Sequence, residues 1–166
     1  MRTVTCVLLT LTVAACATSY KPVTMSGGYS DVRLDANVFR VSFQGNGFTS
    51  ASRVEEMTLL RSADVAMRNG FTHFIIVDAR AGADYATVAV PAQAYTTGTA
   101  NVIGSTVYTN ATTTYTGGGT YVIARPSSSN TIVCFEGKPQ AAGMVYDAKL
   151  VFDSLAGKYH VKRPAP

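Results

Sequence analysis

Residues 38–43, VFRVSF, alternate strictly: Phe39, Val41 and Phe43 on one side, Val38, Arg40 and Ser42 on the other. A period of two in β-branched and aromatic residues predicts a strand with one face in a core and one face wet. Gly45-Asn46-Gly47 breaks it. The period then changes. From about 50 to 69, Leu59, Leu60, Ala63, Ala66 and Met67 fall on one helical arc, and Arg61, Asp64 and Arg68 fall on the opposite one. This predicts an amphipathic helix lying on a sheet. Thr49, Ser50 and Ser52 (with Glu55) are alternative caps for its start, and Gly70 suits the position just past its end.

Residues 71–78, FTHFIIVD, read as a second strand; Phe74, Ile75, Ile76 and Val77 are apolar on both faces, which predicts a central position. Strand, helix and strand together predict a βαβ unit with parallel strands and a right-handed crossover. A further strand is expected over 130–136. Residues 144–156 suit a helix in which Met144, Val145, Ala148, Val151, Phe152 and Leu155 share an arc and Gly157 ends it, although 144–152 also alternate tolerably as a strand. The expected fold is α+β: a small two-layer sandwich of three or four strands with two helices on one face.

Two segments lack such periodicity. Residues 17–31 carry Pro22, Gly27 and Gly28 and read as a flexible tether. Between Asp84 and Arg125 there is no Asp, Glu, Lys or Arg at all. This Thr-, Tyr- and Gly-rich stretch reads as an insertion at about 85–120, either a β-hairpin or irregular. Asn110-Ala111-Thr112 matches a glycosylation sequon by chance composition. The body of the domain is expected over 32–160, with a loose tail from 161 to 166.

The N-terminus has a different pattern. Met1-Arg2 is a short basic start, residues 4–13 are an apolar run, and Ala14-Ala15 are small. That is the shape of a signal peptide. The run is too short to span a bilayer, which takes about 20 residues as a helix. Val13-Ala14-Ala15-Cys16 matches a lipobox. Its chemistry is S-diacylglycerol transfer to the Cys16 thiol, cleavage between Ala15 and Cys16, and N-acylation (palmitate) of the freed amine. Ala17 is not an inner-membrane retention residue, so the expected destination is the outer membrane with the domain in the periplasm. Cys6 leaves with the signal, and Cys134, in an apolar run, reads as a buried inert thiol.

Composition narrows the function. Charged residues make up 14% of the chain and the formal net charge is +4. The cations are scattered, with none of the clustering that marks a nucleic-acid surface. His73 and His160 stand apart from any Cys, His, Asp or Glu at metal-ligand spacing, so no metal site and no cofactor is expected. Glu55 and Glu56 read as first-turn acids favouring the helix dipole. Asp78, at the end of an expected buried strand, is the best single acid but has no partner. Catalytic residues are therefore none. Gly45, Asn46 and Gly47, between strand and helix, form the one loop that suggests anion binding at a helix N-terminus.

The residues Gly28-Tyr29-Ser30, Gln44-Gly45-Asn46-Gly47-Phe48-Thr49, Leu59-Leu60-Arg61-Ser62-Ala63 and Asn69-Gly70-Phe71-Thr72-His73-Phe74 resemble a Caulobacter-type family of small proteobacterial envelope lipoproteins. The similarity extends to the strand around Cys134 and to Tyr146-Asp147-Ala148. It implies an anchored, periplasm-facing domain and brings no activity, cofactor or catalytic residue. The expectation is a non-catalytic envelope module that binds a protein or the cell wall. The alternatives are a structural subunit that assembles by edge strands and a small-ligand binder or enzyme using Gly45–Gly47.

Overall fold

A computed structural model describes residues 17–141 and 143–162. The expected signal peptide, Cys16 and the last four residues of the expected tail lie outside the described residues. The element order is β1 (Gly28–Asp35), β2 (Val38–Gln44), α1 (Ala51–Arg68), β3 (His73–Ile103), β4 (Thr106–Phe135), β5 (Tyr146–Asp147) and α2 (Ala148–Tyr159). The architecture is α+β: one antiparallel sheet ordered β1-β2-β4-β3-β5, with two helices. By contacts the chain divides into two compact units, Tyr85–Ile123 and the remainder.

In the larger unit, β2 takes the register its alternation dictates. Phe39, Val41 and Phe43 are buried, whereas Arg40 is exposed. Antiparallel pairing sets Phe39 opposite Ile132 and Val41 opposite Asn130 on β4. Helix α1 begins at Ser50, whose side chain accepts a hydrogen bond from the Arg53 amide. It ends in a Schellman motif: Gly70 N donates to Met67 O at 3.1 Å and Phe71 N donates to Ala66 O at 3.0 Å. Val54, Met57, Leu60, Ala63 and Ala66 of α1 join Phe152 and Ala156 of α2 and the inner face of the sheet in one core.

Several expectations are corrected. The βαβ unit is split: β2 and β3 are not neighbours, because β4 lies between them and runs antiparallel to β2. The connection from β3 to β4 is a two-residue turn, and a chain that returns so directly fills the gap beside its own strand. The sheet accordingly has five strands where three or four were expected. Val77 is 56% exposed, so the both-faces-buried reading of Phe74–Val77 fails past Phe74. Residues 17–31 are no free tether. Gly28 begins β1, which pairs with β2 from Gly28↔Gln44 to Asp35↔Val38, and Thr18 is 3% exposed. Glycines at 27 and 28 there serve close backbone approach, a role composition cannot separate from flexibility. Helix α2 starts at Ala148, capped by the Asp147 side chain accepting from Leu150 N, so Met144 and Val145 precede it. It runs through Gly157 and ends at His160 in the left-handed conformation, so Gly157 is not the stop.

The smaller unit, Tyr85–Ile123, is a two-stranded antiparallel ribbon. Its turn is Gly104-Ser105, with Gly104 at φ +64° and Ser105 not at positive φ, the pattern of a type II′ hairpin. Thr96 and Thr113 hydroxyls hydrogen-bond across it at 2.9 Å. Among the described residues, all fifteen side chains of the hydrophobic core lie outside it. Replacing Tyr85–Ile123 with an Asn-Gly turn is therefore expected to move the melting midpoint by less than about 5 °C, roughly 1 kcal/mol in a domain of this size. Differential scanning calorimetry checks this, and a large loss would mean that the ribbon belongs to the folding core.

Candidate functional site

The Gly45–Gly47 loop is built from the inside. Gly45 is buried, and its amide donates to Pro126 O at 2.8 Å. Asn46 N donates to Thr18 Oγ1 at 2.9 Å, and Phe48 N donates to the Asn46 side-chain oxygen at 3.0 Å. Thr49 N donates to Asn46 O, and the Thr49 hydroxyl donates to Asn46 Oδ1 at 2.8 Å. Thr18 N completes the knot by donating to Thr49 Oγ1 at 2.9 Å. The amides of Gly45, Asn46, Phe48 and Thr49 are thus spent on the protein itself. Gly45 is small for another reason. A methyl group there would lie 2.9 Å from Thr49 Cβ and Val54 Cγ2 and 3.2 Å from Pro126 Cγ. Gly45→Ala is expected to cost about 1–3 kcal/mol by overpacking, read as a lowered urea midpoint; an unchanged midpoint would mean that the knot is loose.

A charged cluster stands where a solvated helix face was expected. Arg61 and Asp64, placed opposite the core by the helical wheel, are both buried. Arg61 donates through Nε (2.9 Å) and Nη2 (2.6 Å) to Asp31 Oδ1, and through Nη1 to Asp64 Oδ2 at 2.7 Å. Arg68 Nε donates to Asp64 Oδ1 at 2.8 Å, and the Tyr20 hydroxyl donates to Asp64 Oδ2 at 2.8 Å. The Arg61 guanidinium also stacks over the Tyr29 ring, 4.0 Å from its centre. Burial, and then the Asp64 carboxylate, hold the Tyr20 hydroxyl well above its ordinary pKa. Tyr20, Tyr29 and Asp31 come from the supposed tether. The cluster therefore clamps residues 18–31 to α1. The sequence signal was an Arg–Asp pair at i,i+3 facing an aromatic N-terminal segment, which looks like any exposed helix pair until β1 covers it.

The remaining candidates do not converge. His73 shares a 2.8 Å hydrogen bond with the adjacent Thr72, and His160 caps α2. Asp78 does not end a strand, since β3 continues to Ile103; it is exposed and pairs with Arg80 at 3.0 Å. Neither Glu55 nor Glu56 lies in the first turn of α1. Glu56 instead ties α1 to α2, accepting from Lys158 Nζ at 2.6 Å and from the Tyr159 hydroxyl at 2.7 Å, which hold its carboxyl below the usual range. Cys134 is buried, and burial pushes its thiol up to about 12. Among the described residues no group of His, Cys, Asp or Glu is placed to hold a metal ion. On the outer face of the sheet a shallow groove of about 400 Å³ is lined by Ser30, Ser42, Gln44, Arg80, Ser127 and Ser129. Within it the Ser42 hydroxyl hydrogen-bonds Ser129 at 3.0 Å, and the Gln44 side chain donates to Asp84 at 3.2 Å.

The ribbon exposes many aromatic and aliphatic side chains. Tyr85, Tyr95, Tyr108, Tyr115 and Tyr121 are all exposed, as are Val88, Val90, Val102, Ile103 and Val107. No charged residue lies among them. No family model, curated protein or solved structure matches the chain.

Proposed function

We propose that this chain is a lipid-anchored envelope protein of the kind its N-terminus and its resemblance to small proteobacterial lipoproteins suggest. Cys16 carries the lipid, and the domain acts in the periplasm, at the outer membrane, as a non-catalytic binding or structural module. Its working part is the ribbon Tyr85–Ile123. The observation that carries this is the division of labour: the larger unit holds the core, while the ribbon exposes tyrosine and valine without a charge. Such a surface suits strand addition or a flat apolar contact. Against the use of Gly45, Asn46 and Gly47 by a small ligand stands the engagement of the Gly45, Asn46, Phe48 and Thr49 amides within the protein.

The buried Thr18 bears on the anchor. Two residues of chain span at most about 7 Å, so a lipid on Cys16 holds the domain against the membrane surface with almost no slack. Fractionation of cells tests the reading. Wild type is expected to sediment with membranes, and Cys16→Ser to be released soluble or retained as an uncleaved precursor, with the same melting transition in both. The ribbon-deleted variant should stay in the membrane fraction yet lose the contacts captured by crosslinking in intact cells. Equal membrane recovery of the precursor-free Cys16→Ser protein would contradict the anchor.

A further inference from the structure

The ribbon has two unlike faces. Thr96 and Thr113 meet across it, which places the even-numbered residues of β3 on the same face as the odd-numbered residues of β4 up to Tyr115. Gly98 and Ala111 agree, since a methyl on Gly98 would lie 3.3 Å from Ala111 Cβ. That face carries Val88, Val90, Ala92, Ala94, Ala100 and Val102, joined by Val107 and Ala111, with Thr96, Thr109 and Thr113 among them. The other carries Gln93, Tyr95, Thr97, Thr99, Asn101 and Asn110, with the Tyr95 hydroxyl donating to Gln93 at 2.8 Å. One side is mainly apolar and the other mainly polar yet uncharged, and an isolated two-stranded ribbon is marginally stable at best in water.

We infer that the ribbon is a stave of a membrane-spanning β-barrel: its apolar face meets the hydrocarbon of the bilayer, its polar face lines a water-filled lumen, and its two edges pair with ribbons of further copies of this chain. The inference rests on the anchored reading, which delivers the domain to a membrane. Four observations carry it. The alternation is that of barrel strands, apolar outward and polar inward. The first charges, Asp84 and Arg125, stand at the base of the ribbon, with Tyr85 and Tyr121 close by them, where a membrane interface places aromatic rings. Each limb extends on the order of 60 Å at about 3.3 Å per residue, whereas a tilted membrane strand needs only about 9–11 residues. The tip, Val102-Ile103-Gly104-Ser105-Thr106-Val107, is small and uncharged and so passes through hydrocarbon at low cost. A single ribbon cannot enter lipid by itself, because its edge N–H and C=O groups would be unsatisfied there. Closure with further copies removes those edges.

The test uses the full acylated protein, purified from membranes and reconstituted in phosphatidylethanolamine–phosphatidylglycerol vesicles. Single cysteines are introduced as Val90→Cys and Ala100→Cys on one face and as Thr97→Cys and Thr99→Cys on the other, each carrying an environment-sensitive fluorophore. Cys134 is buried and stays unlabelled. Brominated acyl chains are expected to quench labels at 90 and 100 severalfold more than those at 97 and 99, and aqueous iodide is expected to do the reverse. Unheated electrophoresis should show an oligomer. Equal quenching on both faces, absence of quenching by brominated lipid, or labels at 90 and 100 shielded from both quenchers (a zipper of copies in water) would each overturn the barrel. The mass of the same sample reports Cys16. Acylated protein without lipid quenching sinks the barrel alone; unmodified Cys16 sinks the reading beneath it.

Discussion

Leu60→Ala is expected to lower the unfolding free energy by about 2–5 kcal/mol. Leu60 is 0% exposed, in the middle of the helix face that meets the sheet and α2. Truncation removes the transfer energy of its branched end and leaves a cavity between elements that are capped at both ends and have little freedom to collapse. Natural domains are stable by only about 5–15 kcal/mol, so this one change should take a large share of the total. Urea unfolding checks it: the midpoint should fall with the slope unchanged. A loss under about 1 kcal/mol would mean that the cavity closes or that α1 is not the spine of the core.

Asp64→Ala is expected to cost about 3–5 kcal/mol, the range for breaking a buried ion pair by removing one partner. The Asp64 side chain is 3% exposed and takes donors from Arg61, Arg68 and Tyr20. Without it, Arg61 keeps only Asp31, whose side chain is about a third exposed, while Tyr20 loses its acceptor. Asp64→Asn, which keeps the shape and one acceptor, should fall between wild type and Asp64→Ala. Tyr20→Phe removes one hydrogen bond and should cost about 1 kcal/mol. Denaturant titration of the three variants decides it. A neutral Asp64→Ala would show that water takes the place of the carboxylate and that the clamp on residues 18–31 is weak.

How far the sequence carries can be read from particular residues. β2 and α1 were legible because each owes its burial to its own periodicity: Phe39, Val41 and Phe43 at period two, Leu60, Ala63 and Ala66 at the helical period. The Gly70 stop was legible because its role is local. What failed depended on distant partners. β1 was hidden since Gly27, Gly28 and Pro22 look the same in a tether and in a close-packed edge. Arg61 and Asp64 were assigned to water because the wheel cannot know that Tyr20, Tyr29 and Asp31 will cover them. The place of β4 between β2 and β3 is a matter of topology, which no local pattern encodes. The ribbon was visible as an uncharged stretch, but its two faces emerge only once the Gly104-Ser105 turn fixes which residues meet. At the Gly45–Gly47 loop, glycine spacing suggested an anion; the deciding fact was the donors' existing engagements, which include Thr18.

The most direct measurement of the account is the mass of the mature N-terminus of wild-type protein taken from its own envelope. The account predicts that the chain begins at Cys16 and that this residue carries an S-diacylglyceryl group and an N-acyl chain, with residues 1–15 absent. An N-terminal peptide containing Cys16 as a free thiol, or a chain cut elsewhere, would contradict it.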